Sequence, residues 1–117
     1  MKDIAQLYHN NFGVAFYWRK GGELLTERVQ MVFKETGFYL TENQLRSFAD
    51  TINNSCPDDC CEGCGVKMQC HKFLLKTPLP EIDMAVTFNE YLQIKDLVSG
   101  ALFNIDLMSY LSDVCKN

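Results

Sequence analysis

Two capping boxes constrain this chain more than any other feature. Thr41-Glu42-Asn43-Gln44 and Thr87-Phe88-Asn89-Glu90 each stand between a β-prone run and an amphipathic stretch. In a capping box the threonine hydroxyl accepts from the third N–H of the helix, and the glutamine or glutamate side chain reaches back to the threonine N–H. Each box therefore marks a helix start. Ahead of the first, Val29-Gln30-Met31-Val32-Phe33 puts Val29, Met31 and Phe33 on one face, the period-two pattern of a strand. Glu35-Thr36-Gly37 reads as a turn and Phe38-Tyr39-Leu40 as the returning strand of a hairpin. Behind the box, Leu45, Phe48, Ala49 and Ile52 share a helix face that ends near Asn53-Asn54-Ser55.

The second half follows the same plan. Phe73-Leu74-Leu75 and Met84-Ala85-Val86 read as short strands joined by the proline-bounded Thr77-Pro78-Leu79-Pro80, and a long helix follows the second box. Thr41 aligns with Thr87, Asn43 with Asn89, Gln44 with Glu90 and Asp50 with Asp96. Leu45, Phe48 and Ile52 align with Tyr91, Ile94 and Val98. The pattern predicts a ββα unit used twice. One more strand is expected at Val14-Ala15-Phe16-Tyr17-Trp18, punctuated by Arg19-Lys20-Gly21-Gly22. The expected fold is α+β, an antiparallel sheet of about five strands with two helices on one face. At 117 residues the chain fits a single domain. It divides into an N-terminal strand region (1–28), a first ββα unit (29–55), a Cys-rich loop (56–71) and a second ββα unit (72–117).

The Val29–Phe48 and Phe73–Val98 stretches, with the cysteine segment between them, resemble a family of small bacterial proteins of unknown function. That family shows the same order of strand, capped helix and cysteine loop. The resemblance spans most of the chain and implies the fold just described. It implies no activity.

Between the two units lies Cys56-Pro57-Asp58-Asp59-Cys60-Cys61-Glu62-Gly63-Cys64-Gly65-Val66-Lys67-Met68-Gln69-Cys70-His71. In Cys61-Glu62-Gly63-Cys64-Gly65, two thiolates converge across a tight turn that the glycines permit, which is half of a tetrahedral zinc–sulfur site. The other half comes from Cys56, Cys60, Cys70 or His71. Adjacent Cys60 and Cys61 rarely both reach one ion, so Cys56, Cys61, Cys64 and Cys70 are the simplest ligand set. Cys60 is the alternate for Cys56, and His71 for Cys70. His9 is a minor candidate. Zinc is the expected metal and its expected role is structural. The competing reading is thiol redox or metal-responsive chemistry within the Cys56–Cys70 loop; an iron–sulfur cluster is a lesser alternative. Asp58, Asp59 and Glu62 read as solvated loop residues.

In the last helix, Tyr91, Ile94, Val98, Ala101 and Ile105 form a stripe for the core. Phe103, Leu107, Tyr110, Leu111 and Val114 form a second stripe, rotated from the first. Either Ser99-Gly100 kinks the helix so that both stripes meet one core, or the helix runs on and the second stripe meets another copy. The second is the expectation: a homodimer through Phe103, Leu107, Tyr110 and Leu111. Cys115 reads as a small apolar residue of this helix.

A net charge of −4 argues against nucleic acid, whose phosphates select a basic stripe, and against an anionic membrane surface. No stretch is long and apolar enough to span a bilayer, and no signal-peptide core follows Met1-Lys2-Asp3, so the cytoplasm is the expected location. No nucleophile elbow, Walker loop or dinucleotide glycine pattern occurs. With only His9 and His71 available as imidazoles, an enzyme is the least favoured class. Phe16-Tyr17-Trp18 reads as strand and core, with an aromatic binding surface as the alternative.

Overall fold

A computed structural model of the chain describes residues 3–54 and 72–115. Its order is β1 (Asp3–His9), β2 (Gly13–Lys20), β3 (Glu23–Phe33), β4 (Thr36–Thr41), α1 (Glu42–Asn54), β5 (Lys72–Lys76), β6 (Asp83–Thr87) and α2 (Phe88–Cys115). The first four strands form an antiparallel meander, β1-β2-β3-β4, and β5 pairs with β6 in a separate two-stranded sheet. Among the described residues the fold is α+β with antiparallel sheets and two helices, as the sequence predicts. The single sheet of about five strands is replaced by a sheet of four and a sheet of two.

Both capping boxes form. Gln44 N–H donates to the Thr41 hydroxyl at 3.1 Å, and Thr41 N–H donates to Gln44 Oε1 at 2.9 Å. Glu90 and Thr87 repeat the exchange at 3.1 and 2.9 Å. Burial works to raise the Glu90 carboxyl pKa. The Thr87 N–H and the Lys34 ammonium outweigh it and hold the carboxyl below its usual range.

The extra strand in the larger sheet is β1. A register shift between Gln6 and Tyr8 explains why its sequence hides it. Ala5 pairs with Tyr17 and Tyr8 with Ala15, so residues three apart share a sheet face and the period-two signal is lost. The small sheet stays separate because helices hold it in place. α1 packs against both β4 and β5, while α2 packs against β5 and β6. The link to the larger sheet is a side chain: Lys34, in the β3–β4 turn, donates to the Ala85 carbonyl at 3.0 Å and to Glu90 Oε1 at 3.2 Å.

The core lies between the four-stranded sheet and the helices. Tyr17, Met31, Phe33 and Leu40 meet Leu45, Phe48 and Ile52 of α1 and Tyr91, Ile94, Val98 and Ala101 of α2, all buried. Burying side chains of this size contributes roughly 1.5–3 kcal/mol each before entropy is subtracted.

Two hairpin turns use left-handed backbone. Gly21 and Gly22, with φ of 58° and 82°, turn β2 into β3 without steric cost. At the β3–β4 turn the same role falls to Lys34 and Glu35, with φ of 49° and 59°. A side chain in that region costs about 1–2 kcal/mol. Lys34 has a compensating contact in its bridge to Ala85 and Glu90. Glu35→Gly is therefore expected to raise stability by about 0.5–1 kcal/mol, the relief less glycine's extra chain entropy. A urea unfolding midpoint that fails to rise at unchanged slope would contradict this.

Candidate functional site

Cys56, Cys60, Cys61, Cys64, Cys70 and His71 all lie outside the described residues. The stems on either side are described, and they converge. Tyr91, fully buried in α2, donates its hydroxyl to the Ile52 carbonyl at 2.6 Å, two residues before α1 ends at Asn54. Its ring lies 5.6 Å from the ring of Phe73, one residue after β5 begins. One side chain thus ties together the exit from α1 and the entry to β5. Sequence reading finds Tyr91 as a core residue of a helical stripe, but nothing in the spacing announces a clasp between distant stems.

Among the described residues, no group of three or more His, Cys, Asp or Glu is placed to hold a metal. His9 lies on β1, where its Nδ1 accepts from Gln6 Nε2 at 2.7 Å. No described helix is long and apolar enough to cross a membrane.

Among the described residues, two faces carry aligned apolar side chains with substantial exposure. The first is on α2, which is helical without interruption through Ser99-Gly100. Gln93, Asp96, Gly100, Phe103, Leu107 and Tyr110 are spaced alternately three and four apart, so they follow one line along the helix. β1 and its turn clasp the first part of this line. Asn10 Nδ2 donates to the Gln93 carbonyl and to Asp96 Oδ2, both at 3.0 Å, and the Tyr8 hydroxyl donates to Asp96 Oδ2 at 2.9 Å. This hydrogen bond raises the Tyr8 pKa. At Gly100 the Tyr8 ring lies where a Cβ would stand, 2.5 Å away. Beyond Gly100 the line continues as Phe103, Leu107 and Tyr110, with Leu111 beside it. These residues are exposed, Phe103 at 66% and Tyr110 at 64%. They point away from the core stripe of Ile94, Val98, Ala101 and Ile105, so this chain's own core does not accommodate the second stripe. Arg46 of α1 braces the distal half by donating to Asp106 Oδ1 at 2.6 Å and to Glu42 Oε2 at 2.9 Å.

The second surface is the sheet face opposite the helices. The pairing of Phe16 with Gln30, Gln30 with Tyr39 and Trp18 with Leu25 puts these residues together on it, and Ile4, opposite Trp18, joins them. The aromatic run in β2 therefore divides between faces. Tyr17 enters the core, where burial, with Glu42 nearby, raises its pKa. Phe16 and Trp18 lie on the outer face in edge-to-face contact at 4.9 Å, with Phe16 buried and Trp18 half-buried there.

Comparison of the chain with protein families, with curated proteins and with solved structures finds no match.

Proposed function

We propose that this chain is a non-enzymatic interaction or accessory module, built from a ββα unit used twice, stapled by zinc in the Cys-rich loop and dimeric through the distal half of α2. The observation that carries the reading is the exposed line Phe103–Leu107–Tyr110, with Leu111. It has the three–four spacing that helix pairs use, and it continues a line that β1 has already clasped upstream. Exposed large apolar groups aligned in this way are costly on a solitary chain and gain by burial against a second copy. A two-fold pair would bring the same stripe from each chain together.

The zinc part rests on the spacing of Cys61 and Cys64 and on the convergence of the loop stems at Tyr91. An ion held by Cys56, Cys61, Cys64 and Cys70, with Cys60 or His71 as alternates, would close the segment that joins the two hairpin–helix pieces. Closed tetrahedral thiolate sites stabilise folds; a catalytic zinc would keep an open position.

One preparation tests both parts. Size-exclusion chromatography with light scattering is expected to give twice the chain mass. Leu107→Glu with Tyr110→Glu is expected to give a monomer of unchanged far-ultraviolet circular dichroism. Elemental analysis is expected to find about one zinc per chain. A monomeric native protein sinks the dimer. Metal-free protein carrying a readily reversible disulfide replaces the zinc staple with the thiol-redox reading.

A further inference from the structure

We infer that the outer face of the four-stranded sheet carries a binding site for a small aromatic monocarboxylate, in the hollow between Trp18 and Tyr39. This inference is independent of the zinc and dimer readings. The hollow begins in the strand register. Phe16 pairs with Gln30 and Trp18 pairs with Leu25, so the single β2 residue Tyr17 spans a stretch of β3 that holds residues 26–29. The extra β3 residues open the face. The result is a hollow of about 440 Å³ lined by Trp18, Arg19, Lys20, Leu25 and Tyr39. That is a small-molecule volume. Trp18 and Tyr39 stand on strands separated by β3, and the register puts Tyr39 level with Phe16, two residues along β2 from Trp18, so their backbones are about 12 Å apart, which leaves room for one ring between them beside Leu25.

Both aromatic walls are held before any ligand arrives. Trp18 is packed edge-on against Phe16, and its Nε1 donates to Gln30 Oε1 at 3.2 Å. Gln30 Nε2 in turn donates to the Phe38 carbonyl at 3.3 Å. The Arg28 guanidinium lies 5.7 Å from the centre of the Tyr39 ring, and its Nη1 donates to the Tyr39 carbonyl at 3.1 Å. Walls fixed in this way lose little freedom on binding.

Charge selects the ligand class. Within an acidic chain the lining carries two cations, Arg19 and Lys20, and no carboxylate. Asp3 lies 3.8 Å from the Arg19 Nε, while Lys20 has Glu23 as its cross-strand partner but makes no ion pair with it, which leaves Lys20 the more available anchor for an incoming anion. The adjoining hollow shares Leu25 and Tyr39 but contributes Glu23 and Glu27. A ligand with one negative group fits with that group at Lys20 and its ring against Trp18 and Tyr39. A polyanion would extend toward Glu23 and Glu27 and be repelled.

Trp18 is the only tryptophan, so its fluorescence reports on the site directly. The full chain is titrated with benzoate, phenylacetate and 3-phenylpropionate. The controls are 3-phenylpropan-1-ol, which lacks the charge, and propionate, which lacks the ring. A saturable change is expected with at least one aromatic acid, with both controls at least tenfold weaker. Lys20→Gln is expected to weaken the acid about tenfold, and Tyr39→Ala to abolish saturation, with circular dichroism unchanged in both. No saturable change with any of the three acids overturns the inference. So does equal binding of the neutral alcohol, or undiminished binding by a folded Lys20→Gln variant.

Discussion

Tyr91→Ala is expected to destabilise the protein by about 3–5 kcal/mol, the usual cost of deleting a large buried aromatic. A domain of this size typically has only about 5–15 kcal/mol in total, so the variant would be close to unfolding at ambient temperature. The side chain does three things at once. It fills the core between α1 and α2, its ring meets Phe73 and Phe88, and its hydroxyl satisfies the Ile52 carbonyl at the end of α1. Tyr91→Phe separates the last of these from the others. It keeps the ring and strands a buried carbonyl, at a cost of about 1–3 kcal/mol. Chemical denaturation of the two variants should therefore give clearly different midpoints. Equal losses would mean that the ring contacts contribute little, and the clasp between the loop stems would reduce to one hydrogen bond. Tyr91→Ala should also expose the Cys-rich segment to proteolysis at concentrations where Tyr91→Phe resists, because both stems lose their common anchor.

Gly13→Ala is the smallest substitution with a large expected effect, about 3 kcal/mol of lost stability by overpacking. A Cβ at position 13 would stand 2.4 Å from the Val32 carbonyl oxygen and 2.7 Å from the Phe33 Cβ. Neither can yield easily, because β3 is locked between β2 and β4 at these residues. Gly13 is also the end of the β1–β2 turn: its N–H donates to Asn10 Oδ1 at 3.0 Å, and its carbonyl accepts from the Asn10 N–H at 3.0 Å. Gly21→Ala is the control. Gly21 has a positive φ but nothing within 4 Å of an added Cβ, so only conformational strain of about 1–2 kcal/mol applies. Thermal unfolding of the pair distinguishes a steric cost from a backbone one. An alanine at 13 tolerated as well as one at 21 would mean that β2 shifts relative to β3.

The two helix starts were legible to the residue. A capping box is local: Thr41 with Gln44, and Thr87 with Glu90, make their bonds within four residues whatever surrounds them. Strand faces were legible wherever alternation is unbroken, as at Val29, Met31 and Phe33. They were lost where a register shift interrupts alternation, at Leu7 in β1 and across residues 26–28 in β3. Of the candidate sites, the cysteine set with its alternates Cys60 and His71 is an expectation from spacing, and it lies outside the described residues. The aromatic run Phe16-Tyr17-Trp18 offered a binding surface as an alternative, but the Trp18–Tyr39 hollow itself was not legible, because it brings together three strands and depends on a bulge with no composition signal of its own.

Local signals were enough for the α+β class, the two hairpin–helix junctions, the core stripe of α2 and the continuation of an apolar line past Gly100. All of these depend on bonds and periodicities that close within a few residues. Long-range packing set the rest: the strands divide into a sheet of four and a sheet of two, Tyr91 joins one stem 39 residues away to another much nearer in sequence at Phe73, and Phe16 and Trp18 turn outward while Tyr17 turns in. The reason is physical. Pairing partners and sheet faces are set by which distant groups can satisfy one another once burial brings them close, and a single bulge reverses the assignment of every residue beyond it.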